Sequence, residues 1–237
     1  MEKTAEIKID PKIEGMFKAG AHFGYSKARR HPSARPFIFG VKNRVEIFDL
    51  EKTTEALENA KKFVKSLGAS GGQILFVSGK SEVKEVVTEA ASEIGMPYVA
   101  GRWIGGTLTN FSEIRKRVDR MEKLKAEKEK GELSKYTKKE QLLLDREMER
   151  LSERFQGLVL MKEKPDALFV IDLKKESIAV KESKDKNVPV ISLSGSDCDL
   201  SLADYPIPAN DSALSSIKFF LGEVTSAYKE GLKEKET

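Results

Sequence analysis

The sequence predicts an α/β protein built on a doubly wound, mostly parallel sheet. Continuous apolar runs at residues 74–77 and 167–171 are typical of parallel strands that are buried on both faces. Between them lies a long charged segment with heptad spacing, which indicates an inserted antiparallel coiled-coil helical hairpin. We therefore expect a Rossmann-like body made of residues 1–110 and 157–237, and an inserted hairpin made of residues 111–156.

The N-terminal part predicts one short helix and one β-hairpin. Asp10 followed by Pro11 is typical of a helix start, and this helix should end near Gly20. Prolines and glycine argue against regular structure over residues 21–36. Strand-like runs at 37–40 and 45–48 then predict a hairpin with a basic tip.

The next part predicts alternating helices and strands. Apolar spacing indicates a helix over residues 50–67 that ends at Gly68. The buried strand at 74–77 follows, then a helix with apolar residues between 83 and 94. Residues 96–99 should form the next strand.

Residues 101–111 hold three glycines and the only tryptophan of the chain. We expect this segment to turn tightly where the hairpin leaves the body, with Trp103 buried there. Asn110 and Glu113 have the spacing of a capping pair for the helix that follows.

Two helices are predicted in the hairpin, separated by a turn around residues 131–136. Thr137 and Glu140 have the spacing of a capping box at the second helix. The apolar seam of the first helix comprises Phe111, Ile114, Val118, Met121 and Leu124, and that of the second comprises Leu144, Met148, Leu151, Phe155 and Leu158. Because nearly every other position is charged, a projecting arm is favoured over a packed bundle.

The strand and helix alternation resumes after the hairpin. A helix around residues 176–183 and a strand at 188–192 follow the strand at 167–171, and residues 205–208 form a short extended piece. Asn210 or Asp211 should cap a final helix. The Lys/Glu-rich tail from Lys229 is expected to fray.

Composition favours a cytoplasmic protein. The formal charge is +4 and the pI is about 8.9, a modest basic excess. A single cysteine, Cys198, excludes an internal disulfide bond and fits a reducing compartment. Residues 1–6 lack the apolar run of a signal peptide, and no stretch approaches about 18 apolar residues, so we expect no membrane association.

The usual nucleotide motifs are missing from the sequence. Gly79-Lys80-Ser81 resembles the end of a P-loop, but position 74, where the pattern needs a glycine, is Ile74. No Gly-x-Gly-x-x-Gly occurs. The alternative of a Rossmann-like enzyme or nucleotide-binding protein with a coiled-coil arm therefore rests on a strand-end pocket near Lys80, Asp172 and Asp197.

Metal and nucleophile motifs are also weak. The two histidines share no helix face and Cys198 has no cysteine partner, which excludes the usual structural zinc sites. A looser site that joins His22 to Asp197, Asp199 or Asp211 stays open. No Gly-x-Ser-x-Gly elbow is present. We expect no catalytic residues, no metal and no cofactor.

Basic residues beside aromatic ones are better evidence of function. The segment from Lys27 to Arg44 combines arginines, a constrained loop and two neighbouring aromatic residues, Phe23 and Tyr25, which suits phosphate contacts and stacking on unpaired bases. The first helix of the hairpin is also rich in cations. An ordinary solvated basic loop is the alternative interpretation.

Several stretches resemble the bacterial ribosomal protein S2 family. The most specific is Arg102-Trp103-Ile104-Gly105-Gly106-Thr107-Leu108-Thr109-Asn110-Phe111. In the family's order there also occur Gly20-Ala21-His22-Phe23-Gly24, Pro36-Phe37-Ile38-Phe39-Gly40, Pro165-Asp166-Ala167-Leu168-Phe169-Val170-Ile171-Asp172 and Asp204-Tyr205-Pro206-Ile207-Pro208-Ala209-Asn210-Asp211. The resemblance covers nearly the whole chain, from about Ile13 to Gly231.

The resemblance implies a structural, non-enzymatic component of the small ribosomal subunit that acts in translation. It implies binding to 16S rRNA and to neighbouring ribosomal proteins, including help in docking ribosomal protein S1, and no obligate homo-oligomer. The residues expected to contact RNA are Lys27, Arg29, Arg30, Arg35, Lys42, Arg44, Arg102, Arg115, Lys116 and Arg117.

The chain departs from the family pattern at positions that might otherwise hold a metal. Tyr25 stands where members commonly have His, residues 194–197 replace a more usual Val-Asp-Thr-Asn, and Ser212 stands where a second Asp is common. These departures weaken the expectation of a metal site further.

Overall fold

A computed structural model describes residues 10–235, so the expectation about residues 1–6 lies outside the described residues. The helices are α1 (Pro11–Lys18), α2 (Leu50–Ser70), α3 (Lys84–Glu93), α4 (Phe111–Glu129), α5 (Lys138–Phe155), α6 (Ser177–Asp185) and α7 (Leu214–Lys235). The strands are β1 (Phe23–Ser26), β2 (Ile38–Lys42), β3 (Val45–Phe48), β4 (Ile74–Ser78), β5 (Tyr98–Ala100), β6 (Ala167–Ile171), β7 (Val190–Ser194) and β8 (Tyr205–Pro208).

The body is a parallel sheet of five strands in the order β5-β4-β6-β7-β8. Successive side chains of β4 alternate between two apolar layers: Ile74 and Phe76 pack with α2, α3 and α7, whereas Leu75 and Val77 pack with α6 and the base of the α4–α5 pair. Helices on both faces confirm the predicted doubly wound α/β class. The extended piece at 205–208 is the fifth strand, because it pairs with β7.

A second, antiparallel sheet has the order β1-β3-β2. The predicted hairpin of β2 and β3 is confirmed. The expectation of irregular structure over residues 21–36 was wrong in part, because β1 pairs with β3 and short 3₁₀ turns form at Lys27–Arg29 and Pro32–Phe37. The second turn accommodates Pro32 and Pro36, because a 3₁₀ turn uses a φ close to that of proline and needs few backbone donors.

Helix α2 does not end at Gly68, as the sequence suggested. It continues to Ser70, and Gly71 closes it in a left-handed conformation. Gly68 serves packing instead, because a Cβ there would overlap the carbonyl oxygen of Tyr228 in α7.

Helix α7 does not fray from Lys229 within the described residues. It stays helical to Lys235, with Tyr228 and Gly231 buried against α2 and an ion pair of 2.6 Å between Lys65 and Glu234. The prediction failed because periodicity alone did not reveal a packing partner for this last turn. Among the described residues, no helix has both the length and the apolar content needed to cross a bilayer.

Helices α4 and α5 contact each other and are joined around residues 131–137, and we call them together the arm. Thr137 and Glu140 form the predicted capping box. Asn110 and Glu113 do not cap α4: the Asn110 side chain accepts no capping bond, and Glu113 pairs with Lys116. The coiled-coil geometry and the division at residues 111 and 156 stay predictions.

Candidate nucleic-acid interface

The glycine-rich segment before α4 is held by one buried carboxylate, that of Glu182 in α6. Its Oε1 accepts hydrogen bonds from Trp103 Nε1 at 3.1 Å and Gly106 N at 2.8 Å. Its Oε2 accepts bonds from Leu108 N at 3.0 Å and from the N and Oγ1 of Thr109, both at 3.1 Å. Trp103 is buried, as predicted. This network fixes the direction in which α4 leaves the body.

The charge of Glu182 is maintained by those donors. Burial favours the neutral acid, but the backbone N–H groups and the Trp103 indole outweigh it and lower the pKa of Glu182. Sequence reasoning missed Glu182. The available signal was an acidic residue on the inward face of α6, beside the buried Ala179 and Val180.

A cleft of about 1270 Å³ opens beside this segment, at the edge strand β5. The exposed Arg102 lines it together with Lys84 and Glu85 of α3 and Glu153 and Arg154 of α5. Arg102 is therefore accessible from the junction between body and arm, at the position where the sequence predicted an RNA contact. That role stays a prediction.

The N-terminal basic loop, residues 26–37, presents its cations outward. Lys27 and Arg29 are exposed on the first 3₁₀ turn, and Arg35 is exposed on the second. The guanidinium of Arg29 lies 5.2 Å from the centre of the Tyr25 ring, which is within range of a cation–π contact.

The tip of the β2–β3 hairpin presents two more cations, Lys42 and Arg44, both exposed. The turn residues Asn43 and Arg44 have φ of 50° and 67°. Two left-handed residues are what a two-residue hairpin turn requires, and Arg is an unusual choice there because glycine would meet the requirement without strain. A strained cation at an exposed tip is compatible with a binding role.

The ten cations that the sequence singled out fall into two groups. Seven are exposed and make no ion pair with any side chain among residues 10–235: Lys27, Arg29, Arg35, Lys42, Arg44, Arg102 and Arg117. The other three are engaged by acids of the chain itself. Their availability to a polyanion is correspondingly lower.

The three engaged cations have structural contacts. Arg30 pairs with Glu46 at 3.0 Å, and the Glu46 side chain is fully buried. Arg115 bonds Asp119 at 2.8 Å and Glu122 at 2.7 Å and donates to the carbonyl of Val159, which ties α4 to the chain after α5. Lys116 pairs with Glu113 at 2.6 Å, but both side chains are exposed, so this pair is weak.

An aromatic patch lies next to the N-terminal basic loop. We define it as Phe17, Phe23 and Phe39, which are 60%, 48% and 80% exposed. The rings of Phe17 and Phe23 enclose His22, with centroids 4.4 and 4.0 Å from its ring. Burial lowers the pKa of His22, and its Nδ1 has no hydrogen-bond partner among the described residues. Phe17 and Phe23 come together around His22, and Phe39 is exposed on β2; exposed aromatic rings of this kind are typical of a binding surface.

The strand-end edge of the parallel sheet is filled by a lysine of the chain. Lys80 Nζ lies 3.1 Å from both Asp172 Oδ2 and Asp211 Oδ2 and donates to the Asp211 carbonyl at 2.6 Å. Burial of the ammonium opposes its charge, but Asp211 and Asp172 outweigh this and raise the pKa of Lys80. Burial raises the pKa of Asp211, and Lys80 counteracts it. The ion pairs of Lys80 with Asp172 and Asp211 therefore occupy the strand-end position at which such folds usually bind ligands.

The residues at this edge do not suit a metal ion. Among residues 10–235, the one group with metal-ligand spacing is Asp172, Cys198 and Asp211, which does not include His22. Burial raises the pKa of the Cys198 thiol to about 12, so a metal bound there would first have to displace the thiol proton. The ammonium of Lys80 also supplies the positive charge between the two carboxylates.

Comparison with known proteins identifies the family. The profile of the family described as Ribosomal protein S2 matches residues 16–231. Small ribosomal subunit protein uS2 of Bdellovibrio bacteriovorus is 42% identical over 222 residues, which cover 94% of this chain and 71% of that protein. The uS2 proteins of Roseiflexus sp. and Coprothermobacter proteolyticus are 40% and 42% identical, over 95% and 92% of this chain and 86% and 82% of their own lengths.

These matches confirm the expectations of a ribosomal protein of the small subunit that acts in translation in the cytoplasm and is not an enzyme. A protein that is not an enzyme needs no substrate pocket at the strand ends, and here Lys80 and its two acidic partners occupy that position. The chain belongs to the ribosomal protein S2 family.

Proposed function

We propose that the chain is a structural constituent of the small ribosomal subunit that binds 16S rRNA and helps to dock ribosomal protein S1. The observation that carries the RNA part is the group of seven exposed cations without an ion pair among the described residues. Phosphate contacts of this kind position a protein on RNA without reading its sequence.

The RNA contacts fall at three places on the molecule. The N-terminal basic loop contributes Lys27, Arg29 and Arg35, and the hairpin tip contributes Lys42 and Arg44. The junction between body and arm contributes Arg102 and Arg117, with Lys116 beside them. Arg30 and Arg115 were predicted to contact RNA, but their ion pairs give them mainly structural roles in this proposal.

The test of RNA binding is the salt dependence of rebinding to small subunits that lack this protein. The variant K27Q/R29Q/R35Q removes three exposed cations of the N-terminal basic loop and leaves the Arg30–Glu46 pair intact. Each lost phosphate contact should flatten the log–log salt slope by about 0.7 to 0.9, so the triple variant should lose about 2 to 3.

The matched control is K62Q/K181Q/K218Q, which removes three exposed lysines outside the proposed surface. Its salt slope should equal that of the wild type. Equal slopes for the control and for K27Q/R29Q/R35Q would contradict the assignment of the loop to RNA.

We place S1 docking on the aromatic patch. Its exposed rings are suited to bury apolar area against a protein, and the adjacent cations would favour an acidic partner segment.

The change F39S, at the most exposed of these rings, should weaken capture of S1 by the assembled subunit at least tenfold, measured by co-sedimentation. The control is L160S, at a leucine that is 52% exposed elsewhere. Undiminished S1 capture by F39S subunits would refute this placement.

A further inference from the structure

The outer face of α5 carries a row of cations that the sequence analysis did not single out. Lys139, Arg146, Arg150 and Arg154 follow one another at intervals of seven, four and four residues, and all are exposed. Such intervals place side chains on one side of an α-helix, here over about 22 Å of its length. We call this row the α5 basic track.

The acidic residues of α5 that face α4 are already neutralised. Asp145 pairs with Lys128 at 2.8 Å, and Glu147 pairs with Arg120 at 3.2 Å. Charge within the arm is therefore balanced along the contact between its helices. What remains on the outer face of α5 is mainly positive, with Glu149 and Glu153 as the nearby exposed acids.

None of the four track residues makes an ion pair with another side chain in the part of the chain that the structure describes. The one polar contact within the track is a hydrogen bond from Arg150 Nε to the carbonyl of Arg146 at 3.3 Å. It leaves the terminal nitrogens of both guanidinium groups available, and these can bind phosphate oxygens in pairs.

The track is continuous with the interface already described. Its last residue, Arg154, lines the cleft at the body–arm junction together with Arg102. A polyanion that contacts Arg102 can therefore continue along α5, where the exposed acids near its path are Glu153, which also lines the cleft, and Glu149.

We infer that the α5 basic track binds the phosphodiester backbone of rRNA, so that the arm lies along RNA over most of the length of α5. The inference deepens the proposed function and rests on it. Four exposed cations without ion pairs favour RNA over a protein partner. Leu142 and Leu143, which are 51% and 54% exposed beside the track, would contact ribose or base surfaces.

The first test compares two arm variants of equal charge change. R146Q/R150Q/R154Q removes three track cations, whereas R120Q/K123Q/K128Q removes three ion-paired cations of α4. We measure the salt dependence of rebinding to small subunits that lack this protein. The track variant should lose about 2 to 3 from the log–log slope and the α4 control less than about 1. Equal losses would overturn the inference.

The second test locates the RNA directly. The native Cys198 is fully buried, so a cysteine introduced by L143C is the reactive thiol for an iron chelate that generates hydroxyl radicals. In reassembled subunits we expect 16S rRNA cleavage that wild-type protein treated in the same way does not give. No cleavage of 16S rRNA above that seen with wild-type protein, or cleavage confined to a neighbouring ribosomal protein, would overturn the inference.

The two proposals fail in distinguishable ways. If wild-type protein does not rebind to the subunits, the proposed function fails. If wild-type protein rebinds and its salt slope depends on the N-terminal basic loop but not on the track, the proposed function stands and the α5 inference alone is overturned.

Discussion

Glu182 shows how one residue can set the relation between two parts of this protein. Its carboxylate accepts five hydrogen bonds from the segment that leads into α4. Three of the donors are backbone N–H groups, which no change in the side chains of that segment would remove. The direction of the arm therefore depends on a residue that lies 73 to 79 positions further along the chain than its donors.

We predict that E182Q destabilises the protein by about 3 kcal/mol at pH 7, because the Gln NH₂ group would face backbone donors and leave them unsatisfied. Urea unfolding measures this free energy. The exposed E149Q in the arm is the control and should change it by less than about 0.5 kcal/mol. A loss for E182Q no larger than that of the control would contradict the role given to Glu182.

The same residue predicts a pH dependence. The pKa of Glu182 is lowered in the folded state, so its stabilising effect is complete above the ordinary value of 4.5 and is lost as the pH falls through the lower folded value. The difference in unfolding free energy between wild type and E182Q should therefore be constant near neutral pH and shrink in acid. A difference that grew on acidification would show that the carboxylate is not the stabilising form.

At the residue scale, the basic side chains could be located from the sequence, but their ion-pair partners could not. Arg29 and Arg30 are adjacent and look equivalent, yet Arg29 is exposed beside Tyr25 while Arg30 pairs with the buried Glu46. The difference arises because β3 buries every second side chain, and the Arg30 partner comes from that strand. Such pairing depends on three-dimensional proximity, which no local pattern encodes.

At the scale of elements, patterns with a strong local signal were predictable. The buried strands β4, β6 and β7, the β2–β3 hairpin and the capping box at α5 were all confirmed. The ends of α2 and α7 were not, because both depend on a contact between the two helices. Gly68 looked like a helix stop, but it lies where the backbone of α7 comes close.

We predict opposite effects for two glycines of α7. A Cβ at Gly231 would overlap the carbonyl oxygen of Lys65 in α2, so G231A should destabilise the fold by about 2 kcal/mol. A Cβ at Gly222 has no neighbour within 4 Å, so G222A should stabilise it by about 0.5 to 1 kcal/mol through helix propensity. Chemical denaturation measures both. Similar effects of the two changes would contradict the close α2–α7 packing.

At the scale of the whole molecule, the apolar layers on the two faces of the parallel sheet have different structural roles. One layer, between the sheet and α2, α3 and α7, is continuous apolar core. The other includes Ile114, Val118 and Met121 of α4 and Phe155 of α5, which anchor the arm beside Trp103. The arm is therefore rooted in the core of the body, while its distal part is held chiefly by contacts between its own helices.

The charge of the molecule is similarly divided. A formal charge of +4 gave little indication of a polyanionic partner, because acids and bases nearly balance over the chain. The structure separates the balanced pairs along α4 from the exposed cations of the N-terminal basic loop, the hairpin tip and α5. The positions of the unpaired cations on the surface therefore indicate function, whereas the net charge of the chain does not.

The close packing of α2 against α7 also has a consequence for biosynthesis. More than 140 residues separate the two helices, and β4, β6, β7 and β8 all lie between them in sequence. The face of α2 around Gly68 therefore stays uncovered until α7 has been translated and has left the exit tunnel. The α2–α7 contact, and the part of the apolar core that it covers, can therefore form only after residues 214–235 have been made.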